Sequence, residues 1–219
     1  MNTQKTEFEQ IDVEKLGSRR VNEKLKSIDD NVNEIELVNP GSSHFLAAGL
    51  QKNLNLVIRG SIGYYLGTCM DGPDVRVKGN AGWYSGDNLT SGSVIIEGSA
   101  GDGAGQGLYG GQVVVAGNCG SRTGQLMKNG TIIVGGDSGF MTGLYAFGGR
   151  IIVLGDAGAK AGESILGATL YVRGDVSSLG QDARVEESDE PETEEINQLI
   201  GEHGFEPAES FKKVVPDRS

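Results

Sequence analysis

The stretch GSAGDGAGQGLYGG, residues 98–111, contains G-x-G-x-x-G in the frame Gly105, Gly107 and Gly110. Glycines so spaced hold a dinucleotide pyrophosphate when a strand precedes them and a helix follows, because the N–H groups of the helix N-terminus bind the phosphate. Here the next residues are QVVVAGNCG, which read as another strand. Without a helix, the nucleotide reading fails. His44 and His203 are isolated in the sequence, and no Ser or Cys stands in a nucleophile motif. Cys69 and Cys119 lack the neighbours that activate a thiol and are too few for a cluster or a four-ligand metal site. Asp137, Asp156 and Asp175 recur at one spacing and could hold a cation, but side chains that satisfy turns are the commoner use of such a column. No catalytic, cofactor-binding or metal-ligating residue is therefore expected.

The glycines need another explanation. There are 36 in 219 residues, without the three-residue period of collagen and with only 5 prolines, so they must serve turns. The formal charge is −11, but it is concentrated at one end: residues 176–219 hold 12 acidic and 4 basic side chains, whereas residues 55–175 hold 9 and 8. A nearly neutral body with no basic patch argues against nucleic acid. No apolar run approaches the roughly twenty residues of a membrane span. The first ten residues do not read as a signal peptide. A cytoplasmic protein is expected.

A repeat accounts for the composition. Gly60, Gly79, Gly98, Gly117, Gly136, Gly155 and Gly174 lie nineteen residues apart without insertion, each closing an apolar run such as LVIRG, VIIEG or IIVLG. Four and two residues before each marker stand pairs from Leu56/Ile58 through Ile132/Val134 to Leu170/Val172, the alternation of a strand with one buried face. A further inward column is Met70, Leu89, Leu108, Met127, Ala146 and Ile165. Directly after the marker come Ser61, Asn80, Ser99, Asn118, Asp137, Asp156 and Asp175, residues that bond their own backbone in turns. Gly63, Gly82, Gly101, Gly120, Gly139 and Gly158 follow three residues after the marker. Gly67, Gly86, Gly105, Gly124, Gly143 and Gly162 follow seven after it. These are corners, where stacked coils roughly 4.8 Å apart require both positive φ and room for the neighbouring backbone. The fold expected is all-β, a single-stranded parallel β-helix. Leucine-rich repeats are excluded because the chain lacks their leucine frame.

The elements around this body are read less directly. Gly41 lies nineteen residues before Gly60 and brings Leu37 into the strand column of a degenerate first coil. Val21, Leu25, Ile28 and Val32 follow a helical spacing, so residues 1–36 are expected to cap the β-helix that runs over residues 37–185. Residues 186–219 read as an acidic linker, EESDEPETEE, followed by a tail in which Ile196, Leu199 and Ile200 share a helical face. Phe205, Phe211, Val214 and Val215 then require the tail to fold back or to dock on another chain.

Two surfaces invite a partner. The outward column of the strands includes Ile95, Val114, Ile133 and Ile152, with Leu154 beside them, so consecutive strands are apolar on both faces. Either the chain's own terminal helices cover this patch, or it is a subunit interface. Tyr64, Tyr65, Trp83 and Tyr84 fall at equivalent positions of adjacent coils, as a stacking ladder or a partner contact.

The run from Gly41 to Val185, with IRGSIGYYLGTCMDGP, GNAGWYSGDNLTSGSVIIEGSAG and LYVRGDVSSLG, resembles the GXGXG domain of the glutamate synthase large subunit. Among stand-alone forms it is most similar to the GXGXG subunit of N-methylglutamate synthase, a methylamine-glutamate N-methyltransferase. The small β-helical subunit of formylmethanofuran dehydrogenase shares the coil pattern, and a free-standing binding solenoid is a further alternative. The resemblance implies a right-handed β-helix without a catalytic centre, held in a hetero-oligomer. Its partners would be a glutamine-amidotransferase-like subunit and an FMN-dependent glutamate-synthase-like subunit. FMN and an iron-sulfur cluster would then belong to the partner.

Overall fold

The computed structural model describes residues 8–29 and 31–218. In chain order the elements are β1 (Phe8–Asp12), α1 (Val13–Leu16), α2 (Ser18–Ser27), β2 (Glu34–Val38), β3 (Asn55–Arg59), β4 (Asp71–Val77), β5 (Ser91–Ile96), β6 (Gln112–Val115), β7 (Thr131–Val134), β8 (Arg150–Val153), β9 (Thr169–Val172), β10 (Ala183–Glu187), α3 (Glu190–Gly201) and β11 (Lys212–Pro216). Strands β1 to β9 follow one another in parallel, and β11 then β10 complete a single sheet. From β3 to β9 the strands keep one register, broken only by a shift between Asp71 and Asp74 of β4: Leu56, Val75, Val94, Val113, Ile132, Ile151 and Leu170 are successive partners. The nineteen-residue period of the sequence is thus the length of one coil of a parallel β-solenoid.

Both inward columns are buried, from Leu56 to Val172 and from Met70 to Ile165, and they form one continuous core. A second ladder, Ala81–Ala100–Cys119–Ser138–Ala157–Val176, closes the coil on another side. Its small side chains are buried from Ala81 to Ala157. Ser138 is the misfit: its hydroxyl is buried and has no hydrogen-bond partner. Ser138→Ala is expected to raise stability by about 1 kcal/mol in urea unfolding, since it removes an unsatisfied polar group and nearly keeps the volume. A loss of stability would show that the hydroxyl is bonded.

The corners separate two demands that the repeat pattern alone joins. Gly105 has φ +67, and its N–H donates back to Ser85 O of the preceding coil. A Cβ there would point inward, 2.4 Å from Ile132 Cδ1. Gly139 has no positive φ; a Cβ there would lie 2.8 Å from the backbone of Gly120 and Ser121. One corner column is therefore glycine for its dihedral and inward direction, the other for the closeness of the neighbouring coil.

Left-handed positions also occur where no glycine marks them. Tyr65, Tyr84, Arg122, Met141 and Lys160 form one such column, and Cys69, Asn88, Leu126, Tyr145 and Ser164 another, with φ between 50 and 60. Coil-to-coil hydrogen bonds hold them: Tyr84 N–H donates forward to Asp102 O at 2.8 Å and Asn88 N–H to Gln106 O at 2.8 Å. The backbone strain of each coil is thus compensated by its neighbours.

The polar column after the marker glycine also differs from expectation. Its side chains bond the next coil rather than their own turn. Asn80 Oδ1 accepts from Ser99 N–H at 2.8 Å, Asp137 Oδ1 from Asp156 N–H at 2.8 Å, and Asp156 Oδ1 from Asp175 N–H at 2.7 Å. Lys212 Nζ ends the series on Asp175 Oδ1 at 2.6 Å and holds that carboxyl below its ordinary pKa.

Both ends carry more structure than a cap and a linker. β1 adds a parallel strand beside β2. Behind it α1 and α2 bury Val13, Val21 and Leu25; α2 stops at Ser27, before Ile28 and Val32. In the first coil Leu37 pairs with Ile58 rather than Leu56, a slip of two residues that makes this coil longer. The acidic run is no linker. Asp189 caps α3 by accepting from Glu192 N–H at 2.9 Å, and the Glu192 side chain accepts from Asp189 N–H at 3.3 Å. The tail folds back: β11 lies antiparallel on β9 and covers the last coil's edge, and β10 lies antiparallel on β11.

Candidate functional site

One ordered cluster at the surface is aromatic. His44, Tyr64 and Trp83 stack at 4.6 and 4.8 Å between ring centroids, and Phe45, Tyr65 and Tyr84 at 4.9 and 5.0 Å, in two adjacent columns along one corner. The coil spacing dictates the stacking distance, so each ring rests on its equivalent in the neighbouring coil. Phe45, Tyr64 and Trp83 nevertheless keep 50, 38 and 48 % of their surface exposed, enough for a second molecule to touch them. The expected four-ring set is thus joined by His44 and Phe45, which the slipped first coil takes out of the nineteen-residue alignment. His44 Nδ1 accepts from Tyr64 N–H at 2.9 Å, which fixes the ring at the head of its column.

Beyond the first rings the columns meet α2. Asn22 accepts from Ala47 N–H at 2.8 Å and donates to Phe45 O at 2.6 Å, tying the first corner to the helix. His44 and Phe45 there flank a depression of about 690 Å3 whose other wall is Ser18, Arg19, Asn22, Glu23 and Lys26.

The outer strand face is divided. Val114, Ile133, Ile152 and Leu154 are buried with Tyr171, Ile196, Ile200 and Phe211 in a second core. The expected subunit interface at these residues is therefore corrected: α3 of the same chain covers them. Tyr171 and Phe211 meet edge to face at 6.4 Å, and burial raises the Tyr171 phenol. The helix is fastened by Arg150–Glu195 at 2.6 Å and Lys213–Glu192 at 2.9 Å, so two carboxylates of the acidic run act as anchors. Ile95 alone of the five remains half-exposed. It lies in a groove of about 490 Å3 with Val57, Arg76, Gln112 and His203, next to the end of the α3 cover. His203 Nε2 lies 3.0 Å from Gln112 Oε1, and burial lowers its pKa.

The remaining candidates are occupied by structural work. The N–H groups of Gly105, Gly107 and Gly110 bond to Ser85 O, Gln125 O and Leu89 O, leaving none for a phosphate. Cys119 is buried in the small-residue ladder, and desolvation pushes its thiol up to about 12. Among the described residues no three His, Cys, Asp or Glu side chains converge as a metal site, and no helix is long and apolar enough to cross a membrane.

A family model described as the GXGXG motif matches residues 10–213. The chain belongs to the GXGXG family. No curated protein matches it. The GXGXG match begins within β1 and ends within β11. The family unit therefore includes the elements that close both ends of the solenoid, beyond the coils that carry the resemblance in the sequence.

Proposed function

We propose that this chain is the structural β-solenoid subunit of a glutamate-synthase-like complex, of the kind that forms N-methylglutamate from methylamine and glutamate. It would hold an amidotransferase-like subunit and an FMN- and iron-sulfur-containing synthase subunit in a cytoplasmic assembly. The observation that carries this reading is the GXGXG match over nearly the whole chain. The chemistry of the chain supports a scaffolding role, since its polar column, its corner N–H groups and its buried thiol are committed to stacking the coils. The surfaces suited to partners are the rings of Tyr64, Tyr65, Trp83 and Tyr84 and the groove at Ile95 and Arg76.

The test is purification of the full chain alone and with the two catalytic subunits. Alone, it is expected to carry no flavin and to show no glutaminase or methyl-transfer activity; together, the three are expected to elute as one species. Trp83→Ala is expected to weaken that species by about tenfold or more, as loss of an interface aromatic does. A stoichiometric yellow chromophore on the isolated chain, or failure of the three to associate, overturns the proposal. A free-standing binding solenoid is the second reading, favoured by the depression beside His44 and Phe45. A chain that purifies from its source without companions would select it.

A further inference from the structure

We propose that two copies of this chain pair edge to edge through β10, as antiparallel strands related by a two-fold axis at Val185. β10 is the last strand of the sheet and has a neighbour, β11, on one side only. In a strand, alternate residues direct N–H and C=O to opposite sides, so half of the backbone groups of β10 face away from β11. Among the described residues these outward groups make no backbone hydrogen bond, and Arg184, Val185 and Glu187 are exposed. A strand edge in this condition is a template for another strand.

The sequence of the edge selects a second copy as the occupant. About a two-fold axis at Val185, that side chain faces its own equivalent, Arg184 faces Glu186 of the second copy, and Glu186 faces Arg184. Edge strands usually resist pairing because their charges would meet like charges, whereas here the symmetry brings opposite signs together twice. Arg184 and Glu186 already meet within one chain at 2.5 Å, so both heads lie on the same strand face and can exchange partners without leaving it. Val185, 41 % exposed, would bury against its copy. The opposite edge of the sheet lacks these properties: the charged residues of β1, Glu9 and Asp12, are both acidic and are paired with Lys24 and Lys15.

The full chain is expected to show concentration-dependent dimerisation by light scattering after size exclusion. Arg184→Glu places like charges opposite each other and is expected to weaken the dimer at least about tenfold, and the exchange Arg184→Glu with Glu186→Arg is expected to restore it. Val185→Cys in a Cys69→Ser background is expected to form a disulfide-linked dimer on mild oxidation, because side chains directly opposite across an antiparallel pair have Cβ atoms about 5 Å apart. This crosslink is decisive even if a charge variant loses its fold, which circular dichroism would report. A chain that remains monomeric at all concentrations overturns the proposal. So does a dimer that tolerates Arg184→Glu, fails to crosslink at position 185, or forms only with a different protein.

Discussion

Ile133→Asp is expected to destabilise the isolated chain by about 3–5 kcal/mol, the cost of a buried charge without a partner. Ile133 has no exposed surface and lies in the second core with Ile196, Ile200 and Phe211. A carboxylate there would face only apolar side chains, while the inward columns of β7 would be untouched. The expected result is a large fall in melting temperature by circular dichroism, with early loss of α3. An unchanged melting curve would mean that the helix readily leaves the sheet and that the face beneath it opens to solvent.

Gly105→Val is expected to cost on the order of 2 kcal/mol or more. Two effects add. A β-branched residue is strained at φ +67. The new Cβ also begins 2.4 Å from Ile132 Cδ1, so that side chain must leave its place in the core. The corner is bonded to the coils on either side, through Gly105 N–H to Ser85 O and Gly124 N–H to Ala104 O, which prevents the backbone from relaxing alone. Denaturant unfolding that matches the parent would show that position 105 is not an inward-pointing corner.

The solenoid is legible in the sequence because its strongest constraints are periodic. Burying Val113 obliges Val94 and Ile132 to be apolar, and crowding at Gly139 repeats at Gly120 and Gly158. What breaks the period is hidden. The first coil is longer, so Phe45 and His44 do not align with Tyr65 and Tyr64, and the ring columns look shorter than they are. β1, β10 and β11 occur once each, and Glu-rich or Lys-led segments such as ARVEE and KKVVP show little alternation because each is only partly covered. The left-handed column at Tyr84, Arg122 and Lys160 cannot be read because its side chains point outward and hydrogen bonds between coils, not residue type, hold the dihedral. For the outer face, the residue pattern requires that Ile133 and Ile152 have a cover. It does not say which one, since Ile196 and Ile200 suit another chain's surface as well as their own.

The placement of α3 changes how the coils cooperate. In a simple stack each coil is coupled only to its neighbours, and opening can begin at any weak unit and spread or stop. α3 and the strand after it give Val114, Ile133, Ile152 and Tyr171, from four successive strands, a common partner. These coils must open as one unit, because releasing any of them disturbs the same helix. The coils of β3 and β4 have no such tie and can open singly. The boundary falls at β5, where Ile95 packs half-exposed on the margin of the second core and His203 reaches Gln112. The ring columns thus stand on the more compliant half, where a binding partner would supply the coupling that the chain itself provides at its other end.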